Sequence, residues 1–237
     1  MVKLPYRRYL CTFMSAKILC IDTSLEVCSV AIGDFSVEER GQNIHSSRLN
    51  LVIEKLMKRA GMNLHDIDAI CIDKGPGSYT GLRIGVSTAK GLSYALDKAL
   101  LSTNTLQTMA YYYKSVSGLA ENILLCPMID ARRMEVYYSL FDSNLNSIEE
   151  TKAAVIDENF LAEYLSDKKA IFIGNGADKC KQALSNNENA MFTETDIYPS
   201  AKAMLPLAES KFKNKEFEDV FSFEPFYLKD FYIAPGK

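Results

Sequence analysis

The sequence predicts an α/β fold with a mixed sheet, built as two lobes that begin alike. Three observations point there. The chain opens on three closely spaced strand-like runs, it then alternates helical and strand patterns, and a second strand–turn–strand pattern starts near residue 121.

The elements follow in order. KILCID (17–22), VCSVAIG (27–33) and FSVEER after it read as an antiparallel meander, because short apolar or alternating runs are joined by tight polar turns. In HSSRLNLVIEKLMKRAG (45–61), Leu49, Val52, Ile53, Leu56, Met57 and Ala60 recur at helical spacing. That spacing makes one apolar face, with Ser46 or Ser47 as N-cap, Gly61 as stop and His45 as an exposed or capping residue. IDAICID (67–73) is a strand, and KGPGSYTG (74–81) is a glycine-rich turn leading into a helix from about Thr80 to Asp97. A helix over 105–115 and a strand pair, ILLCPMID (123–130) with MEVYYSLFD (134–142), come next. The last third reads as a helix near 157–166, the strand AIFIG (170–174), a helix from about 176, a polar loop over 186–196 and a helix over 200–214. The expected organisation is an N-terminal lobe over 14–120 and a smaller C-terminal lobe over 121–237. Residues 1–13 are expected to be a disordered extension or to precede the true start, since Met14 stands just before the first strand.

Composition narrows the function classes. The 237 residues are 48% hydrophobic and 24% charged, with net charge −3. A chain holding a nucleic acid alone needs a basic field to neutralise phosphates, so a nucleic-acid role here is expected to be shared with a partner. Six cysteines are scattered through apolar runs with no CxxC pair, which reads as buried free thiols in a reducing cytoplasm. No apolar run approaches the roughly 20 residues of a membrane-spanning helix. The two histidines, His45 and His65, are twenty apart, so neither an HxxxH nor an HExxH metal pair exists.

Four constellations remain as candidate sites. Asp22-Thr23-Ser24 ends a strand, where hydroxyls and backbone N–H groups can hold phosphate oxygens, although such a turn is more often only a turn. In GPGSYTGLRIG (75–85), Gly75, Gly77 and Gly81 permit close approach or positive φ, Ser78 or Thr80 can cap the helix, and Arg83 lies in its first turn. A helix start of this kind favours an anion, yet the spacing fits neither a P-loop nor GxGxxG. IDARRMEVYY (129–138) echoes the first turn, with Asp130 at a strand end and Arg132 and Arg133 following. GNGA (174–177) is a strand-to-helix glycine turn. Along the second helix, Gly81 and Gly85 with Thr88 and Ala89 let a neighbour approach closely; that neighbour is either the chain's own sheet or a helix of another subunit.

Taken together, ILCIDTS (18–24), HSSRLN (45–50), GPGSYTGLRIGVSTAKGLS (75–93) and IDARRMEVY (129–137) resemble the TsaB family, formerly described as glycoprotease-like. The order and spacing match from about 17 to 140. GNGA and EPFYLKD (224–230) extend the match loosely, with Lys229 where the family has Arg. The resemblance implies an actin-like (ASKHA), ribonuclease H-like fold of two lobes with mixed sheets flanked by helices. It also implies a cytoplasmic, non-catalytic accessory subunit pairing with a catalytic TsaD-like paralogue. With a TsaE-like ATPase, that complex transfers threonylcarbamoyl to the adenosine beside the tRNA anticodon. No cofactor is expected on this chain alone, since ATP or ADP and metal belong to the partner complex, and tRNA is met only within it. A homodimer is implied when the chain is alone.

Residue by residue, the implied nucleotide- or anion-facing set is Asp22, Thr23, Ser24, Gly75, Gly77, Ser78, Thr80, Gly81, Arg83 and Asp130. The implied subunit interface uses the two helices 45–60 and 80–97 through His45, Arg48, Leu49, Val52, Leu82, Gly85, Thr88 and Ala89, with Leu51 at the margin. The catalytic paralogue binds metal through histidines four apart; here Leu49 stands where the second would be. The rival readings are an autonomous ATPase or small-molecule kinase using Asp22, Thr23, Ser24 and the Gly75–Arg83 turn, and a metalloprotease, which lacks its histidine pair.

Overall fold

The structure, a computed structural model, describes residues 16–41, 44–193 and 197–229. Two five-stranded sheets carry the same topology. The first holds β1 (Ile18–Asp22), β2 (Val27–Ile32), β3 (Phe35–Arg40), β4 (Ala69–Asp73) and β5 (Ala99–Thr103) in the order β3-β2-β1-β4-β5. The second holds β6 (Ile123–Asp130), β7 (Glu135–Phe141), β8 (Ser147–Val155), β9 (Lys169–Ile173) and β10 (Ala190–Phe192), in the order β8-β7-β6-β9-β10. In each, three strands form an antiparallel meander and two more add parallel to its first strand. The duplication expected from the two strand–turn–strand starts is therefore a repeat of the whole sheet.

Alternation along each strand sends side chains to both faces, and both faces are covered. Leu19, Ile21, Ile70 and Ile72 face α1 (Ile44–Ala60) and α2 (Tyr79–Leu96), which bring Leu49, Val52, Leu56, Val86 and Ala89 to that layer. Ile18, Cys20, Cys71 and Leu101 face α6 (Ala201–Asn214) through Ala201, Met204 and Ala208. In the second sheet, α3 (Thr105–Ser117) covers one face with Leu106, Met109 and Ala110. The short helices α4 (Ala162–Leu165) and α5 (Ala177–Ala183) cover the other with Leu165 and Cys180. Each fully buried Leu or Ile contributes about 1.5–3 kcal/mol relative to exposure.

Several expectations need correction. The polar run SIEETKAAV is strand β8; as an edge strand it is held by pairing to β7 and can carry Glu149 and Lys152 at little cost. The five residues of β5 lay too close to the preceding helix to be told apart from it. The helix expected near 157–166 shrinks to four residues, because Asp157 Oδ1 accepts the Asn159 N–H in a turn and Leu161 is left-handed at φ 56°. Within the expected loop 186–196, Ala190–Phe192 pairs parallel to β9. Ser46 and Ser47 lie inside α1, which starts at Ile44, and Ser47 Oγ donates to the Ile44 carbonyl. The segment 121–237 is not one packing unit, since α6 returns to the first sheet. The expectation for residues 1–13 lies outside the described residues.

Candidate functional site

The β1 turn and the glycine loop after β4 are pinned together before any cleft forms. Ser24 N–H and Oγ–H both donate to Asp22 Oδ1, at 2.9 and 2.7 Å. Thr23 Oγ1 donates to the Gly81 carbonyl at 2.8 Å, and the Ser78 N–H donates to the Ser24 carbonyl at 2.6 Å. This contact is the reason for the glycines. A Cβ at Gly77 would stand 2.3 Å from the Ser24 carbonyl oxygen, and one at Gly81 2.2 Å from that of Thr23. Of the two hydroxyls that could cap α2, Ser78 does so, its Oγ accepting the Gly81 N–H at 3.3 Å.

Above this seam lies a cleft of about 1240 Å³ between the two sheets. One wall is the Gly77–Gly81 turn at the α2 N-terminus. Opposite stand Ile129, Asp130, Arg132 and Arg133, with Asn175 from the GNGA turn, and Phe226–Lys229 run along its edge. Asp130 is fixed from several sides: its N–H donates to Asn175 Oδ1, while its Oδ1 accepts from Lys179 Nζ and the Arg132 N–H. Partial burial raises its carboxyl, but the Lys179 contact and the Arg132 N–H outweigh that and hold it below the usual range. Arg132 and Arg133 are exposed and left-handed, at φ 68° and 51°. The tail is tied down by the Phe226 N–H on the Lys74 carbonyl, by Tyr227 against Tyr79 at 4.9 Å between ring centres, and by a Lys229–Glu135 ion pair.

The expected anion-facing set therefore divides. Gly77, Ser78, Thr80, Gly81 and Asp130 line the cleft. Asp22, Thr23 and Ser24 lie beneath it with 1%, 0% and 0% exposure, turned to the protein's own backbone. Gly75 is buried at φ 110°, below Phe226. Arg83 points outward along the helix, donating to Tyr79 Oη at 3.0 Å. The GNGA glycines admit the chain itself: a Cβ at Gly174 would meet the Met128 carbonyl at 2.3 Å. Asn175 and Glu135 were not singled out from the sequence, and the EPFYLKD resemblance was the one signal for the tail.

The expected interface set is corrected further. His45 is neither exposed nor a cap. It is buried, its Nε2–H donates to the Leu25 carbonyl at 2.7 Å, and burial pushes its basicity down against that bond. Leu49, Val52, Leu82 and Ala89 are 2% exposed or less and face this chain's own core, because the apolar stripe of each helix is spent on the sheet. Gly85 accommodates Thr23: a Cβ there would stand 2.1 Å from Thr23 Oγ1. A charge at Gly85 or Ala89 would disrupt the core rather than a subunit contact. Arg48 is part-exposed and pairs with Glu39, and Thr88 is half-buried. The outward stripes are instead Ser47, Leu51 and Glu54 on α1, and Thr80, Ser87, Gly91 and Ala95 with half-buried Ile84 on α2.

Two copies of one mixed sheet, each with the strand order of ribonuclease H-like proteins and a cleft between them, define an actin-like fold. The family model described as "TsaD: tRNA N6-adenosine threonylcarbamoyltransferase" matches residues 39–235. The chain is 31% identical to the tRNA threonylcarbamoyladenosine biosynthesis protein TsaB of Escherichia coli K12, over 90% of this chain and 95% of the relative. It is 32% identical to the protein of the same name from Bacillus subtilis 168, over 90% and 93%. The solved structure of YeaZ from Pseudomonas aeruginosa superposes with a TM-score of 0.77 at 28% identity, covering 90% of this chain and 100% of that one. The chain belongs to the TsaB family.

Proposed function

We propose that this chain is a non-catalytic accessory subunit in the biosynthesis of threonylcarbamoyladenosine in tRNA, pairing with a TsaD-like catalytic paralogue in the cytoplasm. The observation that carries this reading is the burial of Asp22, Thr23 and Ser24. The hydroxyl and carboxyl groups that an autonomous ATPase or kinase of this sequence would use are turned away from the cleft. The names of the E. coli and B. subtilis relatives supply the pathway. The net charge of −3 supports a role in which tRNA is met only inside a complex. In that reading nucleotide and metal belong to the partner complex, a TsaE-like ATPase joins through it, and the chain self-associates when alone.

The docking surface is the outward side of α1 and α2. Ser47, Leu51 and Glu54 recur at i, i+4 and i+7, and Thr80, Ile84, Ser87, Gly91 and Ala95 continue that spacing over four turns. Small residues there let partner helices approach closely, and Leu51, 44% exposed, is the apolar anchor. Light scattering after size exclusion tests the reading on this protein mixed with the TsaD-like paralogue of the same genome. A one-to-one complex is expected; no complex with or without nucleotide would overturn it.

A further inference from the structure

Asp22 and Asp73 end adjacent parallel strands. Ile21 stands opposite Ile72 in the β1–β4 ladder, so the next residues, Asp22 and Asp73, are neighbours on one face of the sheet. Thr103 continues the row, opposite Asp73 in the β4–β5 ladder. All three are sealed, at 1%, 0% and 0% exposure. Each carboxyl commits its Oδ1 to its own loop. Asp22 Oδ1 accepts from Ser24, and Asp73 Oδ1 accepts the Gly75 N–H at 2.8 Å and Thr105 Oγ1–H at 2.5 Å. Among the described residues, the second oxygens, Asp22 Oδ2 and Asp73 Oδ2, are buried without a hydrogen-bond partner, as is Thr103 Oγ1. Among the described residues, no cation pairs with either carboxyl. Glu38 on β3 and Cys71 on β4 add only repulsion, Cys28 on β2 is held as a thiol by burial, and His45 on α1 is pushed toward its neutral form. Two ionised carboxylates side by side in such a setting repel strongly, and one proton held between them relieves that repulsion.

We propose that Asp22 and Asp73 share a proton across the β1–β4 seam, an O–H···O bond that ties the turn after β1 to the glycine loop after β4. The two loops it joins are those that carry Thr23 and Ser78, so the pair fixes the entry of α2 into the cleft wall. The electrostatics agree in direction. Burial holds Asp22 up at about 6, and burial followed by the Asp22 charge raises Asp73 well above the ordinary range. Acids raised in this way favour the fold fully below the unfolded carboxyl range. Their contribution is lost as pH rises from the ordinary carboxyl value of 3.8 through the folded values, the Asp22 part being gone above about 6 and the Asp73 part persisting higher. The two steps belong to the pair rather than to either residue.

The test is urea unfolding of the full chain from pH 5 to 9, for the native sequence and for Asp73→Asn, whose amide supplies an N–H and cannot ionise. The unfolding constant of the native sequence is expected to rise with pH, by up to about tenfold per unit for each proton released. Asp73→Asn is expected to flatten that rise; His45 is common to both proteins and cancels in the comparison. An equal pH dependence in the two proteins would overturn the proposal. Should the variant fail to fold, carboxyl-carbon shifts of the native protein read the pair directly. At least one aspartate transition above pH 5, the proton kept by the pair, supports it, and ionisation of both below pH 5 overturns it. Recovery of stability at pH 8 on adding sodium, potassium or magnesium chloride, beyond that given by choline chloride, would also overturn it by making a metal cation the bridging group.

Discussion

Thr23 packs so closely on Gly85 that Gly85 has no room for a Cβ: Thr23 Oγ1 lies 2.1 Å from where that atom would stand, and Ile72 Cδ1 lies 3.0 Å from it. The small residue in the middle of α2 thus receives the turn after β1. Gly85→Ala is expected to destabilise by about 1–3 kcal/mol, despite the better helix propensity of alanine. In a double-mutant cycle with Thr23→Ala, part of that loss should return. Chemical denaturation of the four proteins measures the coupling, and strict additivity would show that the contact is not the cause.

The outward stripes of α1 and α2 give a second expectation. Leu51→Glu and Ser87→Glu change exposed positions and should alter stability by no more than about 0.5 kcal/mol. Each should abolish the one-to-one complex with the TsaD-like paralogue in light scattering. Normal complex formation by both variants would place the docking surface elsewhere.

The cap of α2 can be weighed by itself. Ser78 is exposed except for its bond to the Gly81 N–H. Ser78→Ala should cost about 1 kcal/mol and Ser78→Gly only a few tenths, both read from thermal melts.

Acid stability has a specific source in Glu39. Its carboxylate accepts from Arg48 at 2.9 and 3.2 Å and from Lys55, joining β3 to α1. The Arg48 and Lys55 hydrogen bonds, Arg48 first, hold Glu39 down at about 2. A lowered acid stabilises the fold above its ordinary value of 4.5, and that contribution is lost as pH falls from there through about 2. Glu39→Gln should therefore flatten the acid limb of a stability–pH curve over that range.

Thiol chemistry should report folding. Cys20, Cys28, Cys71, Cys126 and Cys180 are all buried and free. Burial, followed by the Asp22 charge, pushes Cys28 up to about 12, and burial pushes Cys180 to about 12 as well. In a Cys11→Ser background, a disulfide reagent such as Ellman's is expected to find no reactive thiol in the native protein and five after denaturation.

The meander, both long helices of the first lobe and the central strands of the second were legible because their apolar periodicities are strong. The edge strands of the second sheet were not: β8 is polar and β10 is three residues long, and both are made by pairing rather than by burial. At the site, GPGSYTG announced a turn that something approaches closely, and the sequence left open what approaches. In the fold it is the Ser24 and Thr23 backbone. The interface residues went astray for a related reason. A helical stripe such as Leu49, Val52 and Ala89 marks a contact face without saying whose, and here the chain's own sheet takes it. His45 could not be placed from sequence because its partner, the Leu25 carbonyl, is a backbone group twenty residues away.

The return of α6 to the first sheet has a consequence for biosynthesis. Ile18, Cys20, Cys71 and Leu101 leave the ribosome before the second sheet is made, yet their cover, Ala201, Met204 and Ala208, is made only after it. Domains ordinarily close from the N-terminus as they emerge. Here the first lobe stays open on one side until α6 has been made, while the lobe encoded between its parts already has both faces covered. A nascent chain arrested before residue 201 would present that bare apolar face to chaperones, and the last lobe to mature is the one that begins the sequence.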